Sequence, residues 1–154
     1  MAKVIDPNAV EAKGGTIYPE VHAKAVDGRV KRKLTELLGL TQFGVNVTTL
    51  APGSASSQRH WHVAEDEFCY VLEGEITLVT DDGEQVLKPG MAMGFPANDG
   101  NGHQLVNRTA KAATYLEIGT RSPIDQCTYP DVDMQAAKRD HKFVVRRKDG
   151  RPFE

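Results

Sequence analysis

The middle of the chain alternates between apolar and polar residues with a period of two, which is the pattern of half-buried β-strands. Glycine or proline separates most of these short runs, and little of the chain has helical spacing. Many short strands with turn residues between them are typical of a β-sandwich or a β-barrel. The pattern therefore predicts an all-β fold with strands at residues 43–50, 67–73, 75–80, 84–87, 91–95, 104–107, 113–119 and 141–145.

Breaks in this pattern divide the chain into three parts of one predicted domain. Residues 1–41 are interrupted repeatedly by glycine and proline and are predicted to form an N-terminal arm. Within the arm, residues 29–38 place apolar side chains at helical spacing before Gly39, which predicts a short helix. Residues 42–121 form the predicted barrel core, and residues 122–154 form a C-terminal extension.

One predicted strand carries apolar residues on both of its faces. Residues 68–72 read Phe-Cys-Tyr-Val-Leu, without a polar position to face water. One face can fill the interior of a barrel, so the other face needs cover from the arm or from a second subunit. The strand is therefore consistent with a homodimer.

Composition and charge narrow the set of partners. The 154 residues carry 19 Lys and Arg against 21 Asp and Glu, a net charge of −2, which gives no electrostatic reason to expect a nucleic acid partner. No apolar stretch approaches the ~20 residues that a membrane span needs, and the N-terminus has no signal-peptide pattern. Cys69 and Cys127 lack the spacing of a metal motif or of a disulfide framework. We therefore expect a cytoplasmic protein.

The strongest chemical signal is a cluster of imidazole and carboxylate groups. His60 and His62 are separated by one residue, so they point to the same side of a strand. Glu67 follows at the start of an apolar run, where an unpaired charge would be costly. His103, about forty positions later, can supply a further ligand. Imidazole and carboxylate ligands are typical of sites for first-row transition metals.

The spacing of these residues resembles the two sequence motifs of the cupin superfamily. The first motif is matched by Gly53, His60, His62, Glu67 and Gly74. The second motif is matched by Gly83, Pro89-Gly90, Phe95-Pro96, His103 and Asn107. The chain departs from the family pattern at residues 97–102, where the loop before His103 is longer than usual.

The resemblance implies a fold, a cofactor and a form of assembly. It implies a double-stranded β-helix, or jelly-roll barrel, with one divalent transition metal (Zn, Fe, Mn or Ni) near its mouth. The implied metal ligands are His60, His62, Glu67 and His103. It also implies a homodimer, because cupins commonly form one.

Several further residues are candidates for substrate contact. Asp99, in the loop before His103, is a candidate general base. Arg59, Arg108, Lys88 and Arg121 are cations that could meet an anionic substrate, although each alone is more often a surface charge. Glu65 and Asp66 are interpreted as solvated acids, and Cys69 as a small buried apolar residue.

Three functions are compatible with these residues, because a fold does not fix a function. The leading prediction is a metal-dependent enzyme that acts on a small polar molecule, with sugar-phosphate isomerisation as the best single reaction. The first alternative is an Fe(II)-dependent cupin dioxygenase. The second is a cupin that binds a sugar or an effector without catalysis.

Overall fold

A computed structural model describes residues 2–154 of the chain. Across these residues it forms twelve strands and two short α-helices, with 3-10 turns at Pro7–Ala9 and Lys24–Val26. The helices are α1 (Glu20–Ala23) and α2 (Leu34–Leu38). The strands are β1 (Arg29–Lys33), β2 (Phe43–Leu50), β3 (Trp61–His62), β4 (Glu67–Glu73), β5 (Ile76–Thr80), β6 (Gly83–Leu87), β7 (Ala92–Phe95), β8 (Gln104–Val106), β9 (Ala113–Thr120), β10 (Asp125–Tyr129), β11 (Met134–Arg139) and β12 (Lys142–Arg146).

The strands assemble into three antiparallel sheets. The largest has the order β1-β2-β9-β4-β7, the second has the order β12-β11-β10-β3, and the third has the order β6-β5-β8. Neighbours in the largest sheet are distant in sequence, since β9 pairs with both β2 and β4. This sheet carries the wall on which the candidate site is built.

The main core lies between the five-stranded sheet and the three-stranded sheet. Leu50, Val71 and Tyr115 from the larger sheet pack in one cluster with Ile76 and Leu105 from the smaller sheet. Each of these five side chains is at most 2% exposed. Burial of such side chains is the main favourable contribution to folding, at about 1.5–3 kcal/mol for each fully buried large apolar residue.

A second apolar cluster lies on the four-stranded sheet. Cys127, Tyr129, Met134 and Ala136 form its buried centre, and residues from both ends of the chain pack against it. The ring of Tyr18 meets that of Tyr129 edge to face, with 5.6 Å between ring centroids. The C-terminal part of the chain is therefore packed into the molecule.

The strands predicted between residues 43 and 119 are present, with bounds that differ by at most one residue. The predicted helix at residues 29–38 is wrong in its first half. Residues 29–33 form β1, which pairs in register with β2, and only residues 34–38 are helical. Pairing with the exposed edge of β2 outweighs the local helical spacing, because strand formation depends strongly on tertiary context.

The outer face of β4 is uncovered within the chain. Phe68, Tyr70 and Leu72 are 41%, 38% and 42% exposed, whereas Cys69 and Val71 between them are buried. The N-terminal arm therefore leaves this apolar face open. Cover by a second subunit stays a prediction.

Candidate metal centre

The four predicted ligands come from three neighbouring segments. His60 and His103 face each other in an antiparallel bridge, with backbone N–H donors 3.1 Å and 2.8 Å from the partner carbonyls. His62 ends β3, and Glu67 begins β4. The bridge compensates for the long sequence separation of His103, so the loop at residues 97–102 still delivers this residue to the site.

The side chains converge on one carboxylate oxygen. Oε2 of Glu67 lies 2.7 Å from Nε2 of His103, 3.5 Å from Nε2 of His62 and 3.6 Å from Nε2 of His60. The four side chains are between 7% and 20% exposed. Three imidazole nitrogens and one carboxylate oxygen form a donor set that suits a divalent transition metal.

Hydrogen bonds from the far side of two rings fix their orientation. Nδ1 of His62 lies 2.5 Å from Oδ2 of Asp125, and Nδ1 of His60 lies 2.9 Å from the carbonyl oxygen of Gln58. An Nδ1–H that donates to such an acceptor leaves Nε2 with a free lone pair. This arrangement is common behind metal-bound histidines, so His60 and His62 fit a metal ion well.

The third imidazole is held differently. The ring of His103 stacks on Phe95, with 3.6 Å between centroids and 4° between planes. Its Nε2 donates to Glu67, while its Nδ1 is buried without a hydrogen-bond partner in the described chain. Stacking therefore orients the ring, and metal ligation by Nε2 would require its proton to move to Nδ1.

The electrostatics of the cluster keep Glu67 ionised. Burial raises the pKa of Glu67, but the hydrogen bond from His103 and the nearby imidazoles of His60 and His62 outweigh burial and hold that pKa well below its usual value. Burial lowers the pKa of His62, but the carboxylates of Asp125, Glu67 and Glu65 together more than offset it, so the pKa is raised. Burial dominates at His103, whose pKa is lowered despite Glu67. The anionic centre and its neighbouring imidazoles favour a cation between them.

Two other groups of side chains overlap this one. Cys127 approaches His60 and His62, and Glu65 and Asp125 approach His62. Glu65 already pairs with Lys138, and Asp125 accepts from Ala64 N–H at 2.8 Å and from His62. Burial raises the pKa of the Cys127 thiol, which disfavours the thiolate. Ligand atoms of His60, Glu67 and His103 all lie within 4.8 Å of one another, and His62 adds an Nε2 that is 3.5 Å from Glu67, so these four residues are the best candidate set.

Replacing Asp125 with asparagine tests whether its hydrogen bond to His62 contributes to metal binding. We expect Asp125→Asn to lower the affinity for a divalent metal by about 10–100-fold, because such outer partners orient the ligand and raise its basicity. Competition with a chromogenic chelator measures the affinity. Asp149→Asn is the control, since Asp149 is an exposed acid near the C-terminus. Equal affinities in the two variants would contradict the role of Asp125.

The centre opens into a cavity of about 610 Å³ along the five-stranded sheet. On its wall, Glu117 accepts hydrogen bonds from Lys31 Nζ at 2.7 Å and from Asn46 Nδ2 at 3.2 Å. The pKa of Glu117 is lowered, because Lys31 outweighs the effect of burial. Burial raises the pKa of Cys69, also on this wall, so its thiol stays protonated.

The remaining predicted contact residues lie apart from this cavity, with one exception. Arg59 is paired with Asp131 and Asp81, Arg108 is paired with Glu84, and Asp99 is exposed in its loop. Arg121 does line the cavity. The interpretation of Glu65 as a solvated acid is wrong: the residue is 5% exposed, because it forms an ion pair with Lys138 of β11.

Sequence reasoning did not identify Lys31, Glu117 or Asp125 as functional candidates. Glu117 shares the parity of Tyr115 in an alternating strand, which is a signal that it faces the interior. Lys31 lies in a segment interpreted as a helix, which concealed its position opposite β2. Asp125 carries no comparable signal, because only the pairing of β10 with β3 brings it to His62.

Comparisons with known proteins agree with this architecture. The cupin domain family matches residues 46–119. A sugar phosphate isomerase of the cupin superfamily from Silicibacter pomeroyi is 44% identical, with a TM-score of 0.94, over 99% of this chain and 97% of that chain. A proposed sugar phosphate isomerase from Acidithiobacillus ferrooxidans is 27% identical, with a TM-score of 0.73, over 79% of this chain and 77% of that chain.

The chain belongs to the cupin superfamily, and its fold is the jelly roll of that superfamily. The polyketide cyclase RemF from Streptomyces resistomycificus has the same fold at 23% identity and a TM-score of 0.65, over 78% of this chain and 80% of that chain. No curated protein matches the chain. Within residues 2–154, no helix has the length and apolar character to cross a membrane.

Proposed function

We propose that the protein is a metal-dependent enzyme that isomerises a small phosphorylated sugar. The observation that carries this proposal is the convergence of three imidazoles and one carboxylate at a cavity whose wall also carries charged and polar side chains. The similarity to a sugar phosphate isomerase over nearly the whole chain supports the choice of reaction. We propose His60, His62, Glu67 and His103 as the ligands of one divalent ion.

The bound ion would polarise a carbonyl or hydroxyl oxygen of the substrate. Isomerisation also needs a group that takes a proton from carbon or oxygen and returns it. Glu117 is the best-placed residue for this role, because its carboxylate lines the cavity and is held ionised by Lys31. Asp99, the earlier candidate, is exposed outside the cavity wall.

The sheet register brings Glu117 close to the proposed ligands. Glu67 of β4 is opposite Gly119 of β9, and Cys69 is opposite Glu117. Glu67 and Glu117 are therefore diagonal neighbours on one face, with about 7–8 Å between their backbones. A small substrate held beside the proposed ligands would therefore lie against the wall that carries the Glu117 carboxylate.

The experiment follows aldose and ketose phosphates by proton NMR in heavy water with metal-loaded protein. We expect interconversion, with deuterium incorporated next to the carbonyl carbon. The variant His60→Ala/His62→Ala should lose both signals, and Glu117→Gln should lose deuterium incorporation while retaining metal. Wild-type protein that shows no interconversion above the double variant would contradict the proposal.

Two other outcomes would indicate the alternatives. Three imidazoles and one carboxylate also suit Fe(II), so oxygen uptake with iron but not with zinc would indicate a dioxygenase. Sugar binding that persists after the histidines are replaced, without turnover, would indicate a non-catalytic binding protein.

A further inference from the structure

We propose that Arg121 and Lys33 form an anion subsite at the outer end of the cavity, and that it binds the phosphate group of the substrate. This inference rests on the proposed function for the identity of the substrate, but the subsite itself is argued from charge and geometry. In this arrangement, the phosphate group of the substrate lies at the outer end of the cavity and its reacting end lies at the proposed metal centre.

Two glycines leave the cavity wall between these two ends free of side chains. Gly119 of β9 is opposite Glu67 of β4 and also opposite Gly44 of β2. All three residues line the cavity, so this row of the sheet has no side chain beyond that of Glu67. Adjacent strands are 4.7–4.9 Å apart, which places Gly44 about 10 Å from the β4 backbone. A short linear polyol phosphate can bridge that distance along the open row.

Arg121 lies at the far end of this row. A Cβ atom added to Gly44 would overlap the guanidinium of Arg121, so that group lies directly over the glycine. Within residues 2–154, the guanidinium has neither a side-chain hydrogen bond nor an acidic group within 4.0 Å. A planar, permanently charged group with all its donors available suits bidentate contact with a phosphate.

Lys33 lies beside the same row. It is opposite Asn46 on β2, two residues from Gly44, and it lines the cavity. Its Nζ lies 3.2 Å from Oε1 of Glu36, but both side chains are more than half exposed, so this pair is weak. Lys33 can therefore turn toward an anion at small cost.

The charges of the cavity are separated along its length. Its three acids have partners: Glu67 faces the histidines, Glu65 pairs with Lys138, and Glu117 pairs with Lys31. Among the cations that line the cavity, Arg29 lies opposite Leu50 and donates to the carbonyl oxygens of Ser56 and Gly15, and Lys13 pairs with Glu11. Lys33 and Arg121 lie at the end near Gly44, in a chain whose net charge is −2. A local excess of positive charge at a cavity mouth attracts small anions and orients them.

The subsite is tested by calorimetric titration of the metal-loaded protein with inorganic phosphate. We expect Arg121→Gln to weaken phosphate binding by about tenfold or more, as for loss of a charged hydrogen bond. Lys33→Gln should weaken it by up to about fivefold, and Arg139→Gln should leave it unchanged. Arg139 is the matched control, because it is an exposed arginine of β11 that does not line the cavity.

A second variant tests the position of the guanidinium without removing it. Gly44→Ala adds a methyl group where the guanidinium of Arg121 lies and should displace it, so phosphate binding should weaken. Gly94→Ala on β7 is the control, since an added Cβ there would meet only the Glu67 carbonyl oxygen, at 3.9 Å. Melting temperatures verify that each variant is folded.

The outcomes separate this inference from the proposed reaction. Phosphate binding that depends on Arg121, without any sugar-phosphate isomerisation, would support the subsite and contradict the reaction. Isomerisation whose KM is unchanged by Arg121→Gln, with unchanged phosphate binding, would overturn the subsite. Phosphate binding that survives Arg121→Gln but is lost with a chelator would place the anion at the metal centre, and would also overturn it.

Discussion

Glu67→Gln is expected to lower the affinity of the protein for a divalent metal by more than about 100-fold. Loss of an outer partner already lowers metal affinity by about 10–100-fold, and Glu67 is a proposed direct ligand. Its Oε2 approaches all three Nε2 nitrogens, at 2.7, 3.5 and 3.6 Å. The substitution preserves shape but removes the charge that attracts the ion. Competition with a chelator of known affinity measures the change.

Thermal unfolding gives a second, independent measurement. A metal that binds only the folded state raises the melting temperature, and a chelator removes this effect. We expect a chelator to lower the melting temperature of wild-type protein but not that of Glu67→Gln. Glu73→Gln is the control, because Glu73 is an exposed carboxylate at the other end of the same strand. Tight metal binding by Glu67→Gln would contradict the proposed ligand set.

The sequence is sufficient to predict the centre of this site because its ligands follow local rules. Alternation along a strand places His60 and His62 on one side, and the cost of an unpaired charge in an apolar run indicates a partner for Glu67. The observed bounds of β4 agree with the prediction at both ends. The positions of these residues can be predicted because their geometry depends on residues nearby in the sequence.

The residues around the centre could not be predicted for the opposite reason. The apolar position within residues 29–33 continues the helical spacing of residues 34–38, so the sequence alone predicts one helix. Residues 29–33 form a strand because they pair with β2. The cavity face of β2 carries Gly44, Asn46 and Thr48, although the alternating apolar residues of that strand point the other way. On β2 the polar side chains face inward and the apolar side chains face outward, which reverses the usual pattern, so periodicity alone does not predict the orientation of this strand.

Together, these features explain how the five-stranded sheet contributes both to the apolar core and to the cavity. The end of the sheet near Leu50 packs into the apolar core, while the end near Gly44 and Gly119 stays open beside the metal centre. Lys31 and Glu117 lie between them and neutralise each other in a poorly hydrated place. Such a pair contributes little net stability, so we infer that it is retained for the chemistry of the cavity.

Lys138→Met is expected to destabilise the folded protein by about 3–5 kcal/mol, because it leaves a buried carboxylate without its counter-ion. Lys138 and Glu65 are each 5% exposed, and the ammonium also lies 4.8 Å from the centroid of the Phe143 ring. Methionine retains most of the side-chain volume, so the loss of stability measures the effect of the missing charge rather than of lost packing. Urea unfolding measures it, with Arg139→Met as the control at the next, exposed position.

The double variant Glu65→Gln/Lys138→Met distinguishes the cost of one unpaired buried charge from the cost of losing the whole ion pair. If the loss comes from an uncompensated charge, removing both charges should recover most of the stability, since neutral replacement of a buried pair is often close to neutral. The Ser122 N–H that donates to Glu65 at 2.8 Å keeps an acceptor in glutamine. A double variant no more stable than Lys138→Met would contradict this reasoning. Recovery would show that the ion pair, which joins the segment between His62 and Glu67 to β11, is not required for folding.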